Sequence, residues 1–430
     1  QYTVTLDDQS ATTAGQGSVT ATYDAALPNI TTLPVKTRYT FGGYYSEING
    51  GGTQYYKADG TSATTWNIAA ATTLYAKWTV IQYTITWKNE DGTTLEEDKL
   101  DYGTTISYNG ATPTKTAQSG ITYTFNGWSP ALTEGATVTG DATYTATYNM
   151  TLNLPTETIN GVNYYEISKQ EDWDAFSTFA NAGANSINGI LTDDVYLGDD
   201  QTMIGTSSVP FAGIFDGNGK TLNVSYNGST DMMAPFSVVN GATIRNLKAD
   251  GTVTSTGNYA SGLVGAAGSA VLTISNCEVS SGISSPNCGG FIGHGQTSTS
   301  TITNSIFSGA LTATAYGGCF VGWEGSTCKI TIQNCLSVPY AVSEDTSNDF
   351  VCTQNGGTAS VTNSYSYGTF TNTQGTAEDK TTMKGGKIAR LLNGGDGTTE
   401  KATGVWGQTT GTDTHPVFMT ANDANAVYCV

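Results

Sequence analysis

Ile244-Arg245-Asn246, Ile274-Ser275-Asn276, Ile302-Thr303-Asn304, Ile332-Gln333-Asn334 and Val361-Thr362-Asn363 repeat one phrase: an aliphatic residue, a polar residue, then Asn. The Asn positions are 30, 28, 30 and 29 residues apart. Self-similarity at such a period marks a solenoid in which each repeat is one rung. The second half of the chain therefore reads as a coil.

Stacking the repeats on their Asn exposes columns. Ile244, Ile274, Ile302, Ile332 and Val361 form an aliphatic one, and Arg245, Ser275, Thr303, Gln333 and Thr362 a polar one. Leu247, Cys277, Ser305, Cys335 and Ser364 follow the Asn. Alternation of this kind, in β-branched segments bounded by Gly and Asn, predicts strands with one buried face. Strands stacked at about 4.8 Å carry equivalent residues in ladders along the axis. Asn246, Asn276, Asn304, Asn334 and Asn363 are then expected as buried corner residues whose amides bond to neighbours above and below.

A second phrase lies between the first: Gly262-Leu263-Val264-Gly265, Gly289-Gly290-Phe291-Ile292-Gly293 and Gly317-Gly318-Cys319-Phe320-Val321-Gly322. Glycines bracketing a short apolar strand suit a tight corner, through positive φ or through close passage of backbones.

The G-G-(L/F)-(V/I)-G strand followed by I-x-N-(C/S) resembles the GLUG motif of large bacterial surface proteins. That resemblance implies a right-handed parallel β-helix. The stretch Phe211-Ala212-Gly213-Ile214-Phe215-Asp216-Gly217-Asn218-Gly219 resembles the opening turn of such domains, and Trp406 through His415-Pro416-Val417-Phe418 resembles their ending.

Residues 1–150 hold a different repeat. Tyr2-Thr3-Val4-Thr5-Leu6 matches Tyr83-Thr84-Ile85-Thr86-Trp87, and Tyr39-Thr40-Phe41-Gly42-Gly43-Tyr44 matches Tyr123-Thr124-Phe125-Asn126-Gly127-Trp128. Thr73-Leu74-Tyr75-Ala76-Lys77-Trp78 likewise matches Thr143-Tyr144-Thr145-Ala146-Thr147-Tyr148. Two strand-rich modules follow, 1–80 and 81–150. They resemble the Listeria-Bacteroides, or internalin-type B, repeat, which implies small β-grasp-like folds strung as spacers. The second copy lacks a counterpart to Gly52–Gly60 and closes on Tyr148 in place of Trp. Tyr55, Tyr56 and Trp66 are weighed as a sugar-stacking platform, against the favoured reading that they fill a small core.

A linker and approach to the coil span 151–163, and the β-helix domain 164–430. Ser168-Lys169-Gln170-Glu171 reads as a capping box opening a helix, with Trp173, Phe176 and Phe179 on one side and an end near Gly183. That helix is expected to cap the coil, since an open terminal rung templates aggregation. A second helix is expected over about 380–392, stopped by Gly394-Gly395. Trp406 to Val430 closes the domain.

Only 12% of residues are charged, 52 are Gly, and the net charge is −19 with three arginines. That profile fits a β-rich exported protein and disfavours nucleic acid or an anionic membrane as partner. No run of 18 apolar residues spans a bilayer. The start in mid-strand at Gln1 reads as a processed or truncated piece of a longer secreted protein.

The seven cysteines all lie from 277 onward. Cys277 and Cys335 fall in one column two rungs apart, at about 4.8 Å per rung beyond disulfide reach, so most are read as small buried hydrophobes. Asp193, Asp194, Asp199, Asp200, Asp216 and Asn218 are weighed for calcium, but no loop closes on a bidentate Glu, and turn chemistry is preferred. His294 and His415 stand outside any nucleophile or metal motif and read as surface residues. Lys220, Arg245 and Lys248 are expected to have no carboxylate in register.

The expectation is thus an all-β chain, two β-grasp-like modules followed by a parallel β-helix with capping helices. Its expected role is a non-catalytic adhesion or binding protein, monomeric, at the bacterial cell surface and without cofactor or metal. Partners would be a host or dietary glycan, a matrix protein or another surface protein. A structural stalk and a polysaccharide-acting β-helix enzyme are the alternatives.

Overall fold

The computed structural model describes residues 1–198, 201–343, 345–353, 356–398 and 404–419. Asp199, Asp200 and the 420–430 part of the closing segment lie outside the described residues. The chain is mostly strand, 45% against 6% helix, with small sheets first and a β-solenoid of about six turns after them. It divides into two compact units: Gln1–Thr116 with Tyr123–Asn149, and Ala117–Thr122 with Met150–Val430.

The first unit holds two sheets of related topology. In one, Tyr2–Asp7 runs parallel to Thr72–Val80, with Val4 opposite Thr72, and antiparallel strands Ser18–Ala21, Tyr39–Tyr45 and Gln54–Tyr56 flank that pair. In the other, Gln82–Lys88 pairs parallel with Ala142–Leu152, with Ile85 opposite Ala142, and has Thr94–Asp101 and Ile121–Ser129 outside it. Parallel pairing of first and last strands is the feature the two repeats share. The Gly shared by the two aromatic phrases has a backbone reason, since Gly43 and Gly127 sit at φ 103° and 99°. At Gly43 the strand bulges between Phe41 and Tyr44, and a Cβ would lie 2.0 Å from the Tyr56 carbonyl.

In the second unit, the hairpin Thr156–Ile159 and Val162–Ile167 leads into the helix Gln170–Asn181. The expected capping box is displaced by one residue. It is Asp172, not Glu171, that accepts from Ser168 N–H at 3.1 Å and from Ser168 O–H at 2.8 Å. The buried side is Trp173, Phe176 and Ala180, with Phe179 only half-buried, because 3.6 residues per turn carry the apolar line from 176 to 180. Trp173 packs on Phe215 and Phe236 of the first rungs at 5.6 and 5.8 Å between ring centroids.

The coil has three parallel faces. One rung runs Thr243–Arg245, a corner at Asn246, Lys248–Ser255, Ala260–Ser261, then Val264–Ala267. The first face continues as Val271–Ser275, Thr299–Thr303, Lys329–Gln333 and Thr358–Thr362, so Ile244, Ile274, Ile302, Ile332 and Val361 stand in register. The first four are fully buried. Phe291, Phe320 and Phe350 stack inside the coil at 4.7 and 4.9 Å.

The corner glycines act by proximity. Gly265, Gly289, Gly290, Gly293, Gly318 and Gly322 all have φ outside the left-handed region. A Cβ on Gly293 would meet the Tyr259 carbonyl at 2.0 Å, and one on Gly290 the Cys319 carbonyl at 1.9 Å. Of the two roles expected for these glycines, close passage of backbones is the one realised.

The single helix expected near the end is two, Lys380–Lys384 and Lys387–Leu392. Gly386 at φ 78° breaks the run. Met383, Ile388 and Leu392, with Trp406, cover an apolar strip formed by Ile306, Leu336 and Tyr365 on the side of the coil.

Candidate functional site: an amide-lined groove along the coil

The Asn corners adopt φ between 43° and 55°, a left-handed conformation that Asn tolerates better than other residues bearing a Cβ. Each backbone N–H of Asn246, Asn276, Asn304 and Asn334 then donates to the next rung, at 3.0 to 3.2 Å. The side chains continue the pattern. Asn276 Nδ2 donates to Asn246 Oδ1 at 3.2 Å, Asn334 to Asn304 at 3.3 Å, and Asn363 to Asn334 at 2.8 Å. Asn276 Oδ1 has no partner among the described residues, so the ladder is interrupted between Asn276 and Asn304. Contrary to expectation, these residues are half-buried, and Asn363 is exposed, because the corner turns their amides along the surface.

The ladder begins on a carboxylate. Asp216 Oδ1 accepts from Asn246 Nδ2 at 3.0 Å and from Asn218 N–H at 2.9 Å, while Oδ2 accepts from Arg245 Nε at 2.7 Å. Arg245 also reaches the Tyr164 hydroxyl at 3.1 Å. The expectation that Arg245 and Lys248 lack carboxylates in register is corrected. Asp216 is paired with Arg245 and Glu278 with Lys248 across adjacent strands, the second pair at 3.7 Å.

Between the ladder and the lateral helices lies a groove of about 550 Å³, lined by Asn304, Gln333, Asn334, Asn363, Leu392 and Trp406, among others. Asn363 Nδ2 also reaches the Leu391 carbonyl at 3.2 Å, tying the groove's two walls together. Trp406 is fully buried, and its indole N–H has no partner among the described residues. The described residues lining the groove are amides, glycines and apolar side chains, without a titratable group among them. Such a lining recognises chiefly by hydrogen bonding.

Tyr55, Tyr56 and Trp66 are placed in the core of the first unit, 2%, 0% and 0% exposed. Tyr55 packs on Trp66 at 4.9 Å, and its hydroxyl donates to Asn67 at 2.6 Å. Among the described residues six cysteines are free and buried, and burial pushes the thiols of Cys277, Cys288, Cys335 and Cys352 up to about 12, leaving them protonated at neutral pH. Cys277 and Cys335 instead receive backbone support, each N–H donating to a serine hydroxyl on the next rung.

Asp193 Oδ1 accepts from Asp194 N–H at 2.8 Å, and Asp194 Oδ1 from Thr221 N–H at 2.7 Å. His294, read from sequence as a surface residue, is half-buried in the strand Ile292–His294 and stacks on Tyr259 at 4.4 Å. His415 is half-buried with Nδ1 2.9 Å from the Pro416 carbonyl.

What these units define is a β-solenoid protein preceded by small β-sheet modules. No protein-family model and no curated protein matches the chain. It is similar to a solved structure from Bacteroides ovatus described as a putative immunoglobulin A1 protease, at 15% identity and TM-score 0.37, over 59% of this chain and 92% of that one. The expectation that this chain is not an enzyme is corrected by that neighbour's description and is withdrawn. The likeness gives this chain no activity in turn.

Proposed function

We propose that the chain is a bacterial cell-surface protein that holds a ligand on the flank of its coil, in adhesion. The groove beside the Asn ladder carries this reading, because it sets the outward amides of Gln333 and Asn363 beside the half-buried apolar side chain of Val405. Surfaces of that composition take polar ligands that also present an apolar patch, such as a glycan or an extended protein segment. The resemblance of 1–80 and 81–150 to Listeria-Bacteroides repeats, and of the coil to GLUG repeats, supports an extracellular setting in which the modules act as a spacer. The net charge of −19 supports a ligand other than nucleic acid.

The test is binding of the full chain to a panel of glycans and matrix proteins, beside the variant Gln333→Trp. Gln333 is exposed in the outward polar column, so a bulky ring there fills the groove without entering the core. Saturable binding that Gln333→Trp weakens at least tenfold supports the proposal. Absence of binding across the panel would overturn it in favour of a stalk.

A further inference from the structure

A second surface of the coil gathers aromatic rings from segments unrelated by the Asn period. Tyr259 stands opposite Asn287 on the next rung, its N–H donating to the Asn287 carbonyl at 2.7 Å, and Asn287 stands opposite Tyr316 on the rung after. On the adjoining strands, Ala266, His294 and Trp323 occupy one column. The two columns meet. Tyr259 lies parallel to His294, 4.4 Å between centroids and 24° between planes, and Tyr316 packs on Trp323 at 5.1 Å. Four rings thus spread over three consecutive rungs.

Three observations separate this cluster from an ordinary core. Tyr316 is 39% exposed, and Tyr259, His294 and Trp323 are each half-buried, unlike the fully buried phenylalanine stack inside the coil. The strand Ala310–Gly318 carries one extra residue here, since Ser285 faces Ala313 while Asn287 faces Tyr316. Such a bulge re-aims the side chain that follows it, and bulges gather beside functional sites. Third, Tyr259 holds φ 66°, a conformation unfavourable for a bulky residue, and the ring is kept in place against His294.

We infer that Tyr316 and Trp323, backed by the Tyr259 and His294 stack, form a stacking site for an uncharged glycan. Aromatic faces carry negative quadrupole density and attract the C–H face of a pyranose. Charge selects the neutral class. The carboxylate of Asp231 accepts from the N–H of Asn258, the residue before Tyr259, at 2.7 Å, and the chain carries a net −19, so uronate or sulfate chains are repelled. Burial also lowers the His294 pKa from its ordinary value, so that ring adds no positive charge at neutral pH.

The experiment is affinity electrophoresis and calorimetry of the full chain with neutral polysaccharides (mixed-linkage glucan, galactomannan, dextran), anionic ones (polygalacturonate, chondroitin sulfate) and a set of matrix proteins. Tyr316→Ala, Trp323→Phe and the groove variant Gln333→Trp are compared with the parent. The expected result is binding to at least one neutral polysaccharide, weakened at least tenfold by Tyr316→Ala and unaffected by Gln333→Trp. Fluorescence supplies a second readout that survives any change in stability: the glycan shifts the parent's emission and leaves Trp323→Phe unshifted. Absence of neutral-glycan binding, binding confined to the anionic chains, or binding indifferent to Tyr316→Ala would overturn the inference. So would a protein ligand lost with Tyr316→Ala. Loss with Gln333→Trp alone would overturn it too, while leaving the groove proposal standing.

Discussion

The carboxylate of Asp216 and the guanidinium of Arg245 meet at 2.7 Å across adjacent rungs, where the amide ladder starts. Asp216 is mostly buried, and Arg245 is a third exposed at its side chain. Replacing Asp216 by Ala strands the Asn246 amide and the Asn218 N–H as well as the cation. We expect Asp216→Ala to lower the stability of the coil by about 2 to 3 kcal/mol, and Asp216→Asn by less, in urea denaturation. Equal effects of the two would show that the shared hydrogen bonds contribute nothing.

Asn334 has φ 55° and links two other rungs through its side chain. Ala there incurs roughly 1 to 2 kcal/mol for the left-handed backbone and about 1 more for the lost bonds. Gly removes the bonds but not the conformation. Asn334→Gly should therefore be the milder of the two by about 1 kcal/mol in the same denaturation experiment.

Gly293→Ala puts a methyl 2.0 Å from the Tyr259 carbonyl, and backbone cannot rotate away as a side chain can. A loss of about 3 kcal/mol or more is expected. Gly140, where a Cβ meets nothing within 4 Å and φ is ordinary, is the control: Gly140→Ala should shift the melting temperature little.

Asp349 is fully buried, accepting from the N–H groups of Gln374 at 2.8 Å and Gly375 at 3.1 Å. Burial raises its pKa above the usual carboxylate value. The folded chain therefore holds this proton more tightly than the unfolded chain. The resulting stabilisation is fully present below the ordinary carboxylate pKa and is lost as pH rises through the native value. Relative to Asp349→Asn, the parent should gain melting temperature as pH falls from neutral towards about 4. A difference independent of pH would contradict this.

Much of the coil was legible because one period repeats: the Asn spacing located the corners, and the aliphatic column located the buried face. Reading went astray where a second spacing was needed. The Lys248 and Glu278 pair follows the same 30-residue step as Asn246 and Asn276 and could have been found by extending the alignment two residues. Asp216 precedes the first full repeat, where no period is yet established. The aromatic cluster was invisible for another reason, since its rings come from two columns brought together only by the tight glycine corners. Conversely, Tyr55, Tyr56 and Trp66 drew attention by type, although a small sheet must bury its largest rings to have a core at all. Gly385-Gly386 was present in sequence as a helix break, but the apolar spacing on either side spans it without a fault.

The amide ladder also gives the coil a direction. Every side-chain link between corners runs from a later rung to an earlier one, and the first chain of links discharges on the Asp216 carboxylate, while Asn363 at the far end also reaches Leu391. The two ends are therefore finished differently, and each corner Asn between them brings both an amide donor and an amide acceptor. Length becomes an adjustable quantity: a whole repeat inserted among the middle corners would carry its own donor and acceptor and leave both terminations as they are.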